Sequence, residues 1–422
     1  MAPTRRKAGA ARCVVCGRAA EGVCPICQSA TYCSRSCQKL DWLEDHATIC
    51  TPASPEPPET TPEEVVHEGP KPLSELVQLW RVSVEKLWIE LQDEEDLEHL
   101  SELAPLLTEA EESRNGHWLV PRCELSLGQR PILVTAPHSM ALLRDGQAPH
   151  LVEGNTAEIA GGIAEYLGGS CLTWSLSERR RTELLWRLSK RVNQQRGALD
   201  IRDGHLLDPR NRDPNFLATG ELNQNLWFQQ MSKALQRMQT PDGRYLETLH
   251  VDVHGCQDPP NTPSHLTIGL GAMCFHAIDL GDSELFEWAL HFGDRLHDEF
   301  QQVLSKASTS GRLRPRALLV RVAAPPSAEA EDECPRFSGA WRGMDRHTQS
   351  QQAVGFVGFS HSLQLEFSKA LRQLLVMDDA LLARFADALR TAWAHAKQYQ
   401  TKAERMDEGQ KAVKEERMAA GG

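Results

Sequence analysis

Residues 248–255 read TLHVDVHG. Side chains alternate along an extended chain, so His250, Asp252 and His254 share one face while Val251 and Val253 fill the other. The run stops on His254 and Gly255, and a glycine there permits a tight turn or a close backbone approach. Residues 130–140, RPILVTAPHSM, repeat the design. Apolar Ile132, Leu133 and Val134 lead into Pro137, His138 and Ser139. Two buried strands that each end in a histidine point to a metal site at the rim of a sheet.

The neighbouring segments set the fold class. TAEIAGGIAEYLGG, residues 156–169, reads as a helix with Ile159, Ile163 and Leu167 on one stripe and Gly168–Gly169 as its stop. CLTWS (171–175), HLTIGLGAM (265–273), RALLVRVAA (316–324) and HSLQLEFS (361–368) read as further strands. Residues 182–192 and 222–238 read as helices, the first of them basic. Apolar strands separated by helices predict an α/β domain with a mixed, largely parallel sheet flanked by helices. Ligands of such sheets bind beyond the carboxyl ends of the strands, where His138 and His254 both fall.

A catalytic zinc takes three protein ligands and keeps one position open. Downstream of His138 the third ligand could be Asp145, His150, Glu153 or Glu158. Glu158 follows Asn155 by three residues, as a capping-box glutamate does. Glu153 precedes the helix and can point into the strand-end crevice, so it is the chosen ligand, with Asp145 next. Asp252 would orient a ligand from behind. In HSLQLEFS, Gln364, Glu366 and Ser368 face opposite to Leu363, Leu365 and Phe367. A glutamate in an apolar strand is costly to bury unless paired or functional, and Glu366 suits a general base; on an edge strand it would simply face solvent. Arg210, Asn211 and Arg212, in the turn-rich DPRNRDPNFL, could grip a carboxylate or form a solvated loop.

The first fifty residues have another chemistry. Cys13, Cys16, Cys24, Cys27, Cys33, Cys37, His46 and Cys50 form four closely spaced pairs, enough for two tetrahedral zinc ions. So short a segment cannot build a sufficient apolar core, and the metal must supply its folding free energy. Residues 53–72 are an acidic, Pro-rich linker. Amphipathic helices begin near Leu73 and open a domain spanning 73–400, with its core at 118–378, and 401–422 form a charged helical tail. The net charge of −12 argues against a nucleic-acid-binding surface over the whole protein. There is no apolar run of membrane-spanning length and no signal-peptide pattern, so a cytoplasmic or nuclear protein with reduced thiols is expected.

TYCSRSCQKLDWLEDHATIC resembles the second half of a MYND finger, with Tyr32, Gln38 and Trp42 at framework positions. That resemblance implies two interleaved zincs, one on Cys13, Cys16, Cys33 and Cys37, the other on Cys24, Cys27, His46 and Cys50. It also implies an adaptor that binds proline-containing peptides. Across roughly 130–375, the segments APHS, EGNTAEIA, NRDPNF, DVHG and LQLEFSKAL together resemble the N-formylglutamate amidohydrolases and, more broadly, the zinc-dependent exopeptidase-like hydrolases. What this implies is a zinc on His138, Glu153 and His254, a catalytic Glu366, and Asn211 with Arg212 on the carboxylate of a small amide or peptide substrate. The competing expectation is a catalytically degenerate scaffold that works through its finger. A lysine methyltransferase is disfavoured because no S-adenosylmethionine-binding pattern is present.

Overall fold

In the computed structural model, the described residues are 123–144, 149–180, 182–183, 207–208, 210–238, 247–259, 261–262, 264–308, 318–327, 335–343 and 345–398, with isolated positions at 22–23, 31–32, 75, 78–79 and 82. The chain divides into two units, residues 1–69 with 259–263, and the remainder. In the first, β1 (Gly22–Val23) pairs antiparallel with β2 (Thr31–Tyr32), and Tyr32 is buried. The linker and the charged tail lie outside the described residues, as does most of the amphipathic helices that begin near Leu73 and of the 182–192 helix.

The second unit is built on seven strands: β3 (Cys123–Ser126), β4 (Ile132–Ala136), β5 (Ser170–Trp174), β6 (Leu249–Cys256), β7 (Leu266–Gly269), β8 (Val320–Ala323) and β9 (His361–Ser368). Their order is β3-β5-β4-β6-β9-β7-β8. β5, β4, β6 and β9 run parallel; β3 and β7 join them antiparallel, and β8 runs parallel to β7. The domain is therefore α/β, with a mixed, largely parallel sheet flanked by helices.

Alternation in the central strands divides the two faces of this sheet. On one, Val134, Val251, Val253, Leu363, Leu365 and Phe367 enter the main core, which α1 (Thr156–Leu167) covers with Ile159, Ile163 and Leu167. Each such side chain contributes about 1.5–3 kcal/mol on burial. α1 stops at Gly168, whose φ of 67° suits a residue without Cβ, while Gly168 and Gly169 N–H close on Glu165 and Ala164 carbonyls. On the opposite face, α2 (Leu226–Arg237) brings Trp227, Met231 and Leu235 against Leu133, Leu172 and Trp174. This face also carries the polar residues of β6 and β9.

Three segments depart from the sequence reading. The strand placed over 265–273 ends at Gly269, and α3 (Gly271–Leu280) begins at Gly271. Asn155 does not form a capping box with Glu158: it adopts a left-handed φ of 69° without a side-chain cap, and Glu158 reaches Arg179 instead. Among the described residues the longest helix, α4 (Ser283–Ser308), falls where the sequence reading places no element. Beyond it lie α5 (Gln349–Gln352), α6 (Lys369–Met377) and a helix over 379–398.

Candidate metal centre

Register across β4, β6 and β9 stacks the polar residues in rows. Thr135, Asp252 and Gln364 occupy one row, and His254 stands beside Glu366 in the next, nearer the carboxyl ends. His138 follows β4 in the turn beyond Ala136. Glu153 reaches the same place just before α1, and its backbone N–H donates to the His138 carbonyl at 2.8 Å. The Glu153 carboxylate lies between two imidazoles: Oε1 is 3.1 Å from His138 Nδ1, and Oε2 is 3.4 Å from His254 Nδ1. Oε2 also accepts the Gly255 backbone N–H at 2.7 Å.

The far nitrogens are held from behind. His138 Nε2 lies 2.9 Å from Asp213 Oδ1, and His254 Nε2 lies 2.9 Å from Asp252 Oδ2. A carboxylate on Nε2 keeps a proton there, so the neutral form of each imidazole presents its Nδ1 lone pair on the Glu153 side, the arrangement that metal-binding histidines use. Asp252 is fixed in turn by the Thr135 hydroxyl, which donates to Oδ1 at 2.8 Å. With its amide oriented to suit its neighbours, Gln349 also donates to Thr135 and Asp252 and accepts from Trp227 Nε1. Asp213 accepts Arg144 Nε at 2.5 Å.

Charge accounts for the protonation of this cluster. Four carboxylates, Glu153, Asp213, Asp252 and Glu366, lie in this cluster, and the Arg144 guanidinium pairs with Asp213. Burial alone would lower the His138 pKa, yet Asp213 and Glu153 carry it up to about 9. Burial likewise opposes protonation of His254, but Asp252 and Glu153 raise it well above the usual value. Burial works against ionised Glu153 and Asp213 too, and their histidine partners hold both below the usual carboxylate range. For Glu366 burial dominates and pushes its pKa up to about 7; Gln364 donates to its Oε1 at 2.7 Å. The donors present, imidazole nitrogen and carboxylate oxygen, are those of a zinc-type centre.

Among the described residues, His138, His150 and Glu153 bring ligand atoms within 4.8 Å of one another, with His254 on the other oxygen of Glu153. Of the four sequence candidates for the third ligand, Glu153 and His150 are in this cluster, Glu158 is not, and Asp145 lies outside the described residues. Glu366 is on a central strand, not an edge.

Asn211 and Arg212 are drawn elsewhere. The buried Asn211 amide donates to Glu178 at 2.9 Å, and the Arg212 guanidinium pairs with Glu221. The Arg144 guanidinium pairs with Asp213, the carboxylate behind His138, and lies 5.4 Å from the Phe216 ring centroid. Sequence reasoning missed Asp213 and Arg144. Asp213 had one local signal, the D-P-N turn in which its Oδ1 accepts the Asn215 N–H at 2.8 Å.

Comparison with known proteins identifies the other unit. The MYND finger family matches residues 13–50. Those residues are a MYND finger. The β1–β2 pair falls inside the finger, and its eight expected zinc ligands, Cys13, Cys16, Cys24, Cys27, Cys33, Cys37, His46 and Cys50, lie outside the described residues. A MYND finger binds zinc, which supports structural zinc in this chain. Among solved structures, the chain is similar to a bacteriophage poly-gamma-glutamate hydrolase, at 13% identity over 69% of this chain and 97% of that one, with a TM-score of 0.33. It is also similar to gene product Atu2144 from Agrobacterium tumefaciens, at 11% identity over 66% and 94%, again with a TM-score of 0.33. No curated protein matches the chain. Among the described residues, no helix is long and apolar enough to cross a membrane.

Proposed function

We propose that the second unit is a zinc-dependent amide-bond hydrolase, acting on a small amide or peptide that carries a carboxylate, and that the MYND finger serves it as a protein-interaction module. One observation carries this reading. Two histidine Nδ1 atoms and the Glu153 carboxylate converge at the strand ends, each imidazole fixed through Nε2 by a buried carboxylate, with Glu366 in register beside His254. His138, Glu153 and His254 would hold the ion.

A zinc bound there would acidify a water molecule and polarise an amide carbonyl. Glu366, with a pKa near neutrality, accepts a proton from water and returns it to the departing amine nitrogen as the C–N bond breaks. Arg144, its Nε on Asp213 and its side chain partly exposed, is placed to hold the substrate carboxylate, the role the sequence reading gave to Arg212 and Asn211. The finger would carry two zinc ions, divided as the MYND resemblance implies, and take proline-containing segments of partner proteins. A cytoplasmic or nuclear setting, where thiols stay reduced, suits these parts.

The test uses the full chain and Glu366→Gln. Zinc is counted by elemental analysis, and amine release is followed on N-formylglutamate, other N-acyl amino acids and short glutamyl peptides. We expect three zincs in both proteins, with turnover of a responsive substrate reduced about 10²- to 10⁴-fold in the variant. Full activity in Glu366→Gln would overturn the mechanism. Two zincs in the wild type would overturn the hydrolase reading and leave the finger as the working part.

A further inference from the structure

We propose that His150 supplies a fourth protein donor to this centre, through Nε2, and so closes the coordination shell of the resting protein. The inference rests on His138, Glu153 and His254 as the ligand set.

The His150 tautomer is decided by its surroundings. Nδ1 lies 2.8 Å from the Leu151 carbonyl, which can only accept, so Nδ1 carries the proton and Nε2 presents a lone pair. Nε2 lies 3.4 Å from Glu153 Oε1. His138 Nδ1 lies 3.1 Å from the same oxygen, and ligand atoms of His138, His150 and Glu153 all fall within 4.8 Å of one another, a spacing that one ion can bridge. The His150 and His138 rings stack with centroids 3.7 Å apart and planes at 22°.

Backbone holds His150 there. It pairs antiparallel with Leu142, each N–H donating to the other's carbonyl at 3.0 and 2.8 Å. The three-residue step to Glu153 then returns the carboxylate to His138. With three imidazoles and one carboxylate, the donor set favours zinc over magnesium or calcium. A four-donor shell is the closed form of such a site. Water would enter by expansion to five donors or by displacing the half-buried imidazole of His150, which the more buried His138 and His254 are less free to leave.

The test compares zinc retention by the full-length wild type, His150→Ala, His150→Phe and His254→Ala, dialysed against graded chelator and analysed for zinc per chain. Thiolate-bound zinc in the finger serves as an internal control. His150→Phe keeps a ring against His138 and removes the nitrogen. We expect both His150 variants to release one zinc at about tenfold lower free chelator than wild type, while His254→Ala lacks that zinc. If His150→Phe holds the ion as tightly as wild type, stacking is the whole role of the residue and the proposal fails, with the hydrolase reading intact. If the wild type has no such ion, both fail together. A second readout needs no variant: in ¹⁵N-histidine protein, the His150 Nε2 resonance should shift on addition of zinc, and an unmoved resonance overturns the assignment.

Discussion

Replacing Asp252 by Asn tests the centre without touching a proposed ligand. Asp252 Oδ1 accepts from Thr135 at 2.8 Å and from the reoriented Gln349 amide at 3.2 Å. The carboxamide oxygen of an asparagine is therefore compelled to stay on that side, where both donors remain satisfied. Its NH2 group must then face His254 Nε2, where Asp252 Oδ2 sits at 2.9 Å. A donor replaces an acceptor. His254 answers by moving its proton to Nδ1, and Nδ1 no longer offers a lone pair beside Glu153.

Loss of such an outer carboxylate costs about 10- to 100-fold in metal affinity, or about 1.4–2.7 kcal/mol. The inverted tautomer places Asp252→Asn at the upper end. The assay is zinc competition on the full chain with a chromophoric chelator, read beside thermal melting. We expect one zinc to weaken, the finger zincs to hold, and the fold to persist, because Thr135 and Gln349 keep their acceptor. Unchanged zinc affinity would refute the chain of reasoning from Asp252 through the His254 tautomer to the ion.

Two further predictions concern a substrate and a proton. Arg144→Met should raise KM about tenfold or more for an amide bearing a free carboxylate, the loss of a charge-assisted hydrogen bond, and change it little for the matching carboxamide; an equal rise on both would remove Arg144 from substrate binding. His361 is buried against Trp288, with centroids 4.0 Å apart, and burial, then Lys397, push its pKa from 6.5 down to about 3. The unfolded chain binds a proton that the native state refuses, so this contribution to stability is full above about pH 6.5 and declines toward pH 3, by up to about 1.4 kcal/mol per pH unit. His361→Phe keeps the stacked ring and should lose less melting temperature than wild type between about pH 7 and pH 4.5; parallel losses would show that His361 does not govern the acid response.

The sheet was legible because its information is local. In β6 and β9 a period of two separates Val251, Val253, Leu363 and Leu365 from His250, Asp252, His254, Gln364 and Glu366, and each set meets the environment its chemistry requires. The pairing of His254 with Glu366 is a matter of register, which the faces restrict but do not name. β3 escaped notice: it is four residues long, half exposed in alternation, and lies at the sheet edge. Helix α1 was visible from its stripe and its glycines, whereas the left-handed Asn155 was not, since asparagine caps and asparagine turns look alike in sequence.

The centre was legible where strands deliver its residues and at Glu153, which the following helix places. His138 and His254 follow apolar runs, and the strand ends fix their place. Asp213, Arg144 and His150 come from connecting segments, positioned by isolated backbone contacts: Leu142 with His150, and Asp213 N–H on the Leu143 carbonyl at 2.9 Å. No periodicity announces such contacts. The sequence DPRNRDPNFL invited a choice of its asparagine and arginine, the usual carboxylate binders, while the fold turns Arg212 to Glu221 and sends the adjacent Asp213 to His138. The same segment thus supplies a carboxylate against His138, and under the proposed function the substrate grip would fall to Arg144, across Asp213 from the imidazole. Substrate charge and imidazole orientation would then be joined through one buried aspartate: a carboxylate bound by Arg144 would compete for the positive charge that holds Asp213, and Asp213 would lean the more on His138 Nε2–H.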